Sequence, residues 1–237
     1  MNPDPAVKRE TFVIHPNTTN EVEVDPTTLE DLPPHSSLSV HWTYGYPSPR
    51  WILETLSTAF RQGSAIASRP LNVLSLGTGG NAYEEINALL YLTKGQITNY
   101  LGVDNDAKKV HTDHKMLRGL PFAHSVCADV KQLDSIVSKT FDVAIIRNPE
   151  LRGNYKENMY TWGIATQKLK SYLTEDSLLI VTVPSDFDQA PIKTILSGNK
   201  YQEIRMANNP SLGPLFGVDK NLGMKHHYDK YIVTAKR

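Results

Sequence analysis

The stretch Leu71 to Glu84, Leu-Asn-Val-Leu-Ser-Leu-Gly-Thr-Gly-Gly-Asn-Ala-Tyr-Glu, constrains the fold more than any other part of the chain. An apolar run, Val73-Leu74-Ser75-Leu76, stops at Gly77-Thr78-Gly79-Gly80, and an amphipathic segment carrying Glu84 and Glu85 follows at once. The order predicts a strand, a glycine turn and a helix. Glycines let the backbone turn sharply and let a ligand approach with no Cβ in the way. The helix that follows offers unpaired N–H groups and a positive dipole end to a carboxylate or phosphate. Ile97 to Asp104 supplies the next expected piece, an apolar strand ending in an acid.

From Asn72 onward, strand and helix patterns alternate. Strands are predicted at 72–76, 97–103, 122–127, 141–147, 177–183, 201–205 and 228–235, and helices at 81–93, 106–118, 130–138, 155–172 and 187–197. Such alternation predicts a mostly parallel, doubly wound α/β sheet of the Rossmann-like kind, with right-handed crossovers and helices on both faces. The tail departs from it. Met206 to His227 is rich in Asn, Gly and Pro and has no helical periodicity, so the two strands flanking it should pair antiparallel.

Residues 1–50 read as a Pro-rich arm or cap on an α/β domain spanning 51–237. Prolines at 3, 5, 16, 26, 33, 34, 47 and 49 interrupt regular structure until a helix over Pro49 to Phe60. Thr11 to Ile14 and Glu21 to Val24 read as short strands, and the aromatic piece His41 to Pro47 as a lid or an arm packed on the sheet. The 237 residues suffice for one large domain, and 25 basic against 25 acidic residues give no global pull toward nucleic acid or an acidic membrane. A lone cysteine, Cys127, and the lack of a long apolar run or a signal region at the N-terminus predict a cytoplasmic protein without a membrane span.

Ligands in open α/β sheets bind beyond the carboxyl ends of the strands, at the switch point. Four such ends stand out: Gly77-Thr78-Gly79-Gly80, Asp104-Asn105, Asp129, and Arg147-Asn148-Pro149-Glu150. A carboxylate at Asp104 can accept both hydroxyls of a ribose; its other reading is a helix N-cap, a role open equally to Asn105 or Asp106. Asp129 can accept an adenine amino hydrogen or cap the helix after it. Arg147 can pair with Glu150 or hold an anionic acceptor, and Glu150 is the first candidate for a base. His111 and His114 lie three apart on a helix without a third ligand, and Lys108, Lys109, Lys115 and Arg118 read as a solvated face.

Together these pieces resemble the class I S-adenosylmethionine-dependent methyltransferases over roughly Leu71 to Val183. The resemblance implies a seven-stranded sheet with an antiparallel last strand, S-adenosylmethionine as cofactor, and methyl transfer to an acceptor expected to be a small molecule. It implies that Gly77 and Gly79 hold the methionine portion, Asp104 the ribose and Asp129 the adenine, with Thr78, Gly80, Asn105, Arg147 and Asn148 as further cofactor-binding residues. The loop after the fourth strand, Arg147 to Glu150, would border the transferring methyl. The family's usual pattern has an acid two residues before the first glycine, where this chain has Ser75, and a third glycine where it has Asn81. Members that methylate amino nitrogens often carry Asn or Asp, Pro, Pro and an aromatic after the fourth strand; here Asn148-Pro149 is followed by Glu150-Leu151.

Other readings stay open. Gly77 to Ala82 also satisfies Gly-x-Gly-x-x-Ala, the fingerprint of nicotinamide oxidoreductases, although no Tyr-Lys or His pair for that chemistry is recognisable. Aminopropyl transfer would call for an Asp-rich segment after the fourth strand. A non-catalytic binding domain would account for Ser75.

Overall fold

A computed structural model describes residues 50–63, 69–151, 154–210, 215–219 and 224–237. The elements, in chain order, are α1 (Arg50–Gly63), β1 (Leu71–Leu76), α2 (Ala82–Leu92), β2 (Ile97–Asp104), α3 (Ala107–Met116) and β3 (Ala123–Cys127). A 3₁₀ turn (Val130–Gln132) then precedes α4 (Leu133–Ile136), β4 (Phe141–Arg147), α5 (Tyr155–Ser171), β5 (Leu173–Val183) and α6 (Asp186–Gly198). The chain closes with β6 (Gln202–Asn208), β7 (Leu215–Asp219), β8 (Met224–His227) and β9 (Tyr231–Lys236).

Seven strands form one sheet in the order β3-β2-β1-β4-β5-β9-β6. β1 to β5 run parallel, and β9 lies antiparallel between β5 and β6. The strand order reverses between β1 and β4, which places the switch point above Leu76 and Ile146. Sheet faces covered on both sides require strands that are apolar throughout, and every residue of β4 is buried. Leu74, Leu101, Ile146, Leu179 and Val233 pack one face against Leu169 of α5 and Ile192 and Leu196 of α6. Val73, Tyr100, Ile145, Ile180 and Ile232 pack the other against Ile52 and Leu56 of α1 and Ile86 and Leu89 of α2.

The predicted architecture holds, with local differences. The helix expected over 130–138 is a 3₁₀ turn and one α-turn, because Val137 is already extended at φ −114° and ψ 121°. β5 starts four residues early, through Thr174-Glu175-Asp176. The segment without helical periodicity contains a two-stranded ribbon, β7–β8, whose strands of five and four residues are too short to show an alternating pattern. Asn208, Tyr231 and Val183 are level in the sheet, so that ribbon springs from the carboxyl edge. The arm over 1–49, with its expected short strands and aromatic lid, lies outside the described residues. No helix among the described residues is long and apolar enough to cross a membrane.

One close approach joins the sheet to the glycine turn. A Cβ on Gly102 of β2 would stand 2.9 Å from Thr78 Cγ2. Gly102→Ala should destabilise the fold by about 1–3 kcal/mol through overpacking, measured by denaturant unfolding. A loss below about 0.5 kcal/mol would show that Thr78 moves aside freely.

Candidate functional site

The glycine turn is built by backbone geometry that side chains resist. Gly77, Gly79 and Gly80 have φ of 76°, 66° and 79°. A Cβ on Gly77 would also stand 3.2 Å from the Arg147 carbonyl oxygen, so the turn and the end of β4 touch. Asp104, at the tip of β2, accepts the Gly79 N–H on Oδ2 at 2.8 Å and the Asp106 N–H on Oδ1 at 2.9 Å. The helix cap is Asp106 instead, which accepts the Lys108 N–H. Each carboxylate oxygen of Asp104 offers about two lone-pair directions, so one on each stays available to a ligand hydroxyl.

A second carboxylate, Asp113 of α3, fastens the turn from below and was not expected from the sequence. Its Oδ2 accepts from Thr78 Oγ1 at 2.6 Å and Ser125 Oγ at 3.3 Å, and its Oδ1 accepts the Ala82 N–H at 3.1 Å. Burial pushes its carboxyl above the usual range, opposed by those three bonds. Its signal was its place in α3: Val110 and Asp113 are that helix's buried residues, three apart, while the lysines around them face out. Asn81 stands where the family pattern has a glycine and turns its amide back onto the Thr78 and Gly79 carbonyls.

The end of β4 is clasped by Asp229, in the turn before β9. Arg147 Nη2 donates to Asp229 Oδ2 at 3.0 Å, Asn148 Nδ2 donates to Oδ1 at 2.8 Å, and the Asp229 N–H donates to Asn148 Oδ1 at 2.9 Å. Thr182 of β5 donates to the same carboxylate. Both ends of the Asn148 amide are therefore engaged, and the residue holds φ 45°. Such backbone conformations persist only where surrounding bonds over-determine them. Asp229 thus takes the place that sequence reasoning gave to Glu150 as partner of Arg147, and the Glu150 side chain is exposed. The guanidinium lies over the Trp51 ring at 4.9 Å, and Trp51 stacks on Tyr228.

Behind the turn, on the face covered by α1 and α2, Glu85 is fully buried and accepts the Tyr100 hydroxyl on Oε1 at 2.9 Å. Ser75 of β1 lies beside both. Burial pushes the Glu85 carboxyl up, with Arg147 opposing. Burial also works against the Arg147 charge, but Asp229 and then Glu85 outweigh it and hold the guanidinium protonated.

The other expected site residues make local contacts of their own. Asp129 Oδ1 accepts the Lys131 N–H at 2.8 Å, so it caps the 3₁₀ turn. Asn105 is exposed at the tip of β2, and its carbonyl faces Cys127 Sγ at 3.8 Å. His114 Nε2 lies 2.6 Å from the Ser125 carbonyl, and His111 is exposed.

Two outcomes test this geometry. Asp229→Ala would strand the buried Arg147 charge and should cost about 3–5 kcal/mol in denaturant unfolding. A loss below about 1 kcal/mol would mean that Arg147 finds water. Glu85 and Asp113 keep their protons to higher pH folded than unfolded. The folded state then binds more protons, and their contribution to stability falls as pH rises from the ordinary value, 4.5 for Glu85, through the raised one. Glu85→Gln should flatten that fall in unfolding midpoints measured from about pH 4 to 7, and an unchanged slope would contradict the assignment.

No family model and no curated protein matches the sequence. Solved structures do match the fold. The chain is similar to an S-adenosylmethionine-dependent methyltransferase from Clostridium acetobutylicum ATCC 824, with a TM-score of 0.56 at 11% identity over 83% of this chain and 94% of that one. The N-methyltransferase NodS from Bradyrhizobium japonicum WM9 gives 0.54 at 14% identity, over 78% and 94% of the two chains. Magnesium protoporphyrin IX methyltransferase from Synechocystis PCC 6803, solved with bound SAH, gives 0.51 at 15% identity, over 80% and 82%. The sheet order and these likenesses give the chain the Rossmann-like fold of class I methyltransferases.

Proposed function

We propose that the chain is an S-adenosylmethionine-dependent methyltransferase with a small-molecule acceptor. The observation that carries this reading is Asp104: a buried strand-tip carboxylate, tied to the glycine turn beside the switch point, with acceptor capacity left on both oxygens. The fold's solved representatives, one of them with bound SAH, support the cofactor class. The antiparallel β9 speaks against the nicotinamide reading.

The residues present fit the cofactor. Gly77 and Gly79 leave the turn without Cβ atoms where the methionine portion would lie, Asp104 would hold the ribose hydroxyls with Asn105 beside it, and Asp129 would meet the adenine. Bound there, the cofactor supplies an electrophilic methyl group on a sulfonium. Gly80 completes the turn. Thr78, whose hydroxyl is spent on Asp113, positions it. Asn148, locked to Asp229, positions the end of β4 and leaves the orientation of an acceptor to other groups. Glu150, exposed at that end, is the candidate base for an acceptor that must lose a proton. Proximity and orientation would supply much of the rate, and a site with this many fixed groups is suited to that. Exposed Cys127 fits work in the reducing cytoplasm.

Asp104→Ala should weaken adenosylhomocysteine binding roughly tenfold or more, from the loss of charge-assisted bonds to the ribose. Calorimetry on the variant, with its fold checked by circular dichroism, reads this directly. Unchanged affinity in a folded variant would overturn the placement of the cofactor.

A further inference from the structure

Charge is balanced over the whole chain but not over α3. Lys108, His111, Lys115 and Arg118 recur three, four and three residues apart, the spacing of one helix face, and all are exposed. Lys109 is exposed beside them. Elsewhere surface lysines are held by acids, as Lys131 is by Asp129, Lys168 by Asp134 and Lys230 by Asp186. Lys108, Lys109, Lys115 and Arg118 have no acid partner among the described residues. The acids of this segment are engaged elsewhere: Asp113 is buried under the glycine turn, and Asp106 caps the helix through the Lys108 N–H. The arrangement also works against the helix itself. Lys108 and Lys109 stand in a first turn that holds no acid, at the positive end of the dipole, where cations destabilise. Charges that cost the fold stability and find no partner within it point to a partner outside it.

What the face lacks narrows the partner. From Lys108 to Arg118 every exposed residue is polar, because Val110 and Leu117 turn into the protein. It therefore offers neither the apolar anchors of a protein interface nor the apolar stripe that sinks into a lipid surface. The neighbouring edge strand β3 is closed to an added peptide strand at Ser125, whose carbonyl meets His114 Nε2 at 2.6 Å. Single-stranded nucleic acid calls for several rings on which its bases stack, and this face has His111 alone. Duplex RNA is read across two minor grooves over about 16 base pairs, a longer reach than this face provides. A duplex DNA backbone needs only cations and hydroxyls. From Lys108 to Lys115 the helix rises about 10 Å, against about 3.4 Å per phosphate along one strand, so the face spans about three phosphate steps. We propose that this face of α3 docks the phosphate backbone of duplex DNA through Lys108, Lys109, Lys115 and Arg118. A Cβ on Gly80 would stand 3.7 Å from Lys109 Cα, so the face begins at the glycine turn and a docked duplex borders the candidate site. Docking here requires no cofactor.

The test is fluorescence anisotropy of the full chain with a labelled, mixed-sequence DNA duplex of about 20 base pairs, between about 50 and 200 mM salt. Four phosphate contacts predict saturable binding whose log K falls against log salt with a slope of about −3.6. Lys115→Gln combined with Arg118→Gln should lower that slope by about two and weaken unrelated sequences alike. Lys193→Gln, on α6 across the sheet, should change neither. Lys108→Glu combined with Lys109→Glu should weaken binding at least about tenfold while raising the thermal unfolding midpoint, because acids suit a first turn. A lower midpoint would give these lysines a structural role and overturn the proposal. No saturable binding by the wild-type chain, or a slope that the Lys115 and Arg118 changes leave unaltered, would overturn it too. So would equal or tighter binding of duplex RNA of the same length, of polyglutamate at equal charge, or of phosphatidylserine vesicles. Should a variant not fold, the wild-type slope and these competitors decide.

Discussion

The carboxylate of Asp229 is the contact on which the ligand edge depends. From a turn before β9 it gathers Arg147 and Asn148 from the end of β4 and Thr182 from β5. Its carbonyl accepts from Asn209, which also reaches Thr55 of α1. A single buried anion thus joins the centre of the sheet, the base of the β7–β8 ribbon and the first described helix. A buried charge is tolerable only when paired and fully hydrogen-bonded, and that requirement fixes the post-β4 segment in one geometry.

The glycine turn is held in a comparable way. Asp104 takes a backbone N–H from its middle, and Asp113 takes the Thr78 hydroxyl and the first N–H of α2. Two carboxylates from consecutive elements therefore fix a segment whose positive φ angles would otherwise cost it order. Three of the turn's four residues are glycines, so it carries little side chain of its own. Pre-organisation of this kind lowers the entropic cost of binding a flexible cofactor.

Much of this was legible in the sequence, for physical reasons that differ by residue. Both faces of the sheet are covered, so its strands appear as unbroken apolar runs, and the glycines announce the turn. Asp104 was legible because a charge at the end of an apolar strand is costly to bury unless it meets a partner there. Asp113 and Glu85 have polar neighbours in sequence that mask them, yet each lies on its helix's buried stripe, Asp113 with Val110 and Glu85 with Ala82, Ile86 and Leu89. An acid on such a stripe is a signal of buried work. Asp229 carried no local signal: it sits in a polar turn, and its partner Asn148 is 81 residues away. The short 3₁₀ turn after Asp129 was illegible because it buries none of its residues, and the β7–β8 ribbon because strands of five and four residues are too short to show a period.

We propose that the edge formed by the glycine turn, Asp104 and the end of β4 binds adenosylmethionine. Calorimetric titration of the purified chain with adenosylhomocysteine, with oxidised and reduced nicotinamide dinucleotides as controls, tests it most directly. Saturable binding of adenosylhomocysteine with a Kd on the order of micromolar is expected, with no binding of the dinucleotides. Binding of a dinucleotide alone, or of no nucleotide at all, would contradict it.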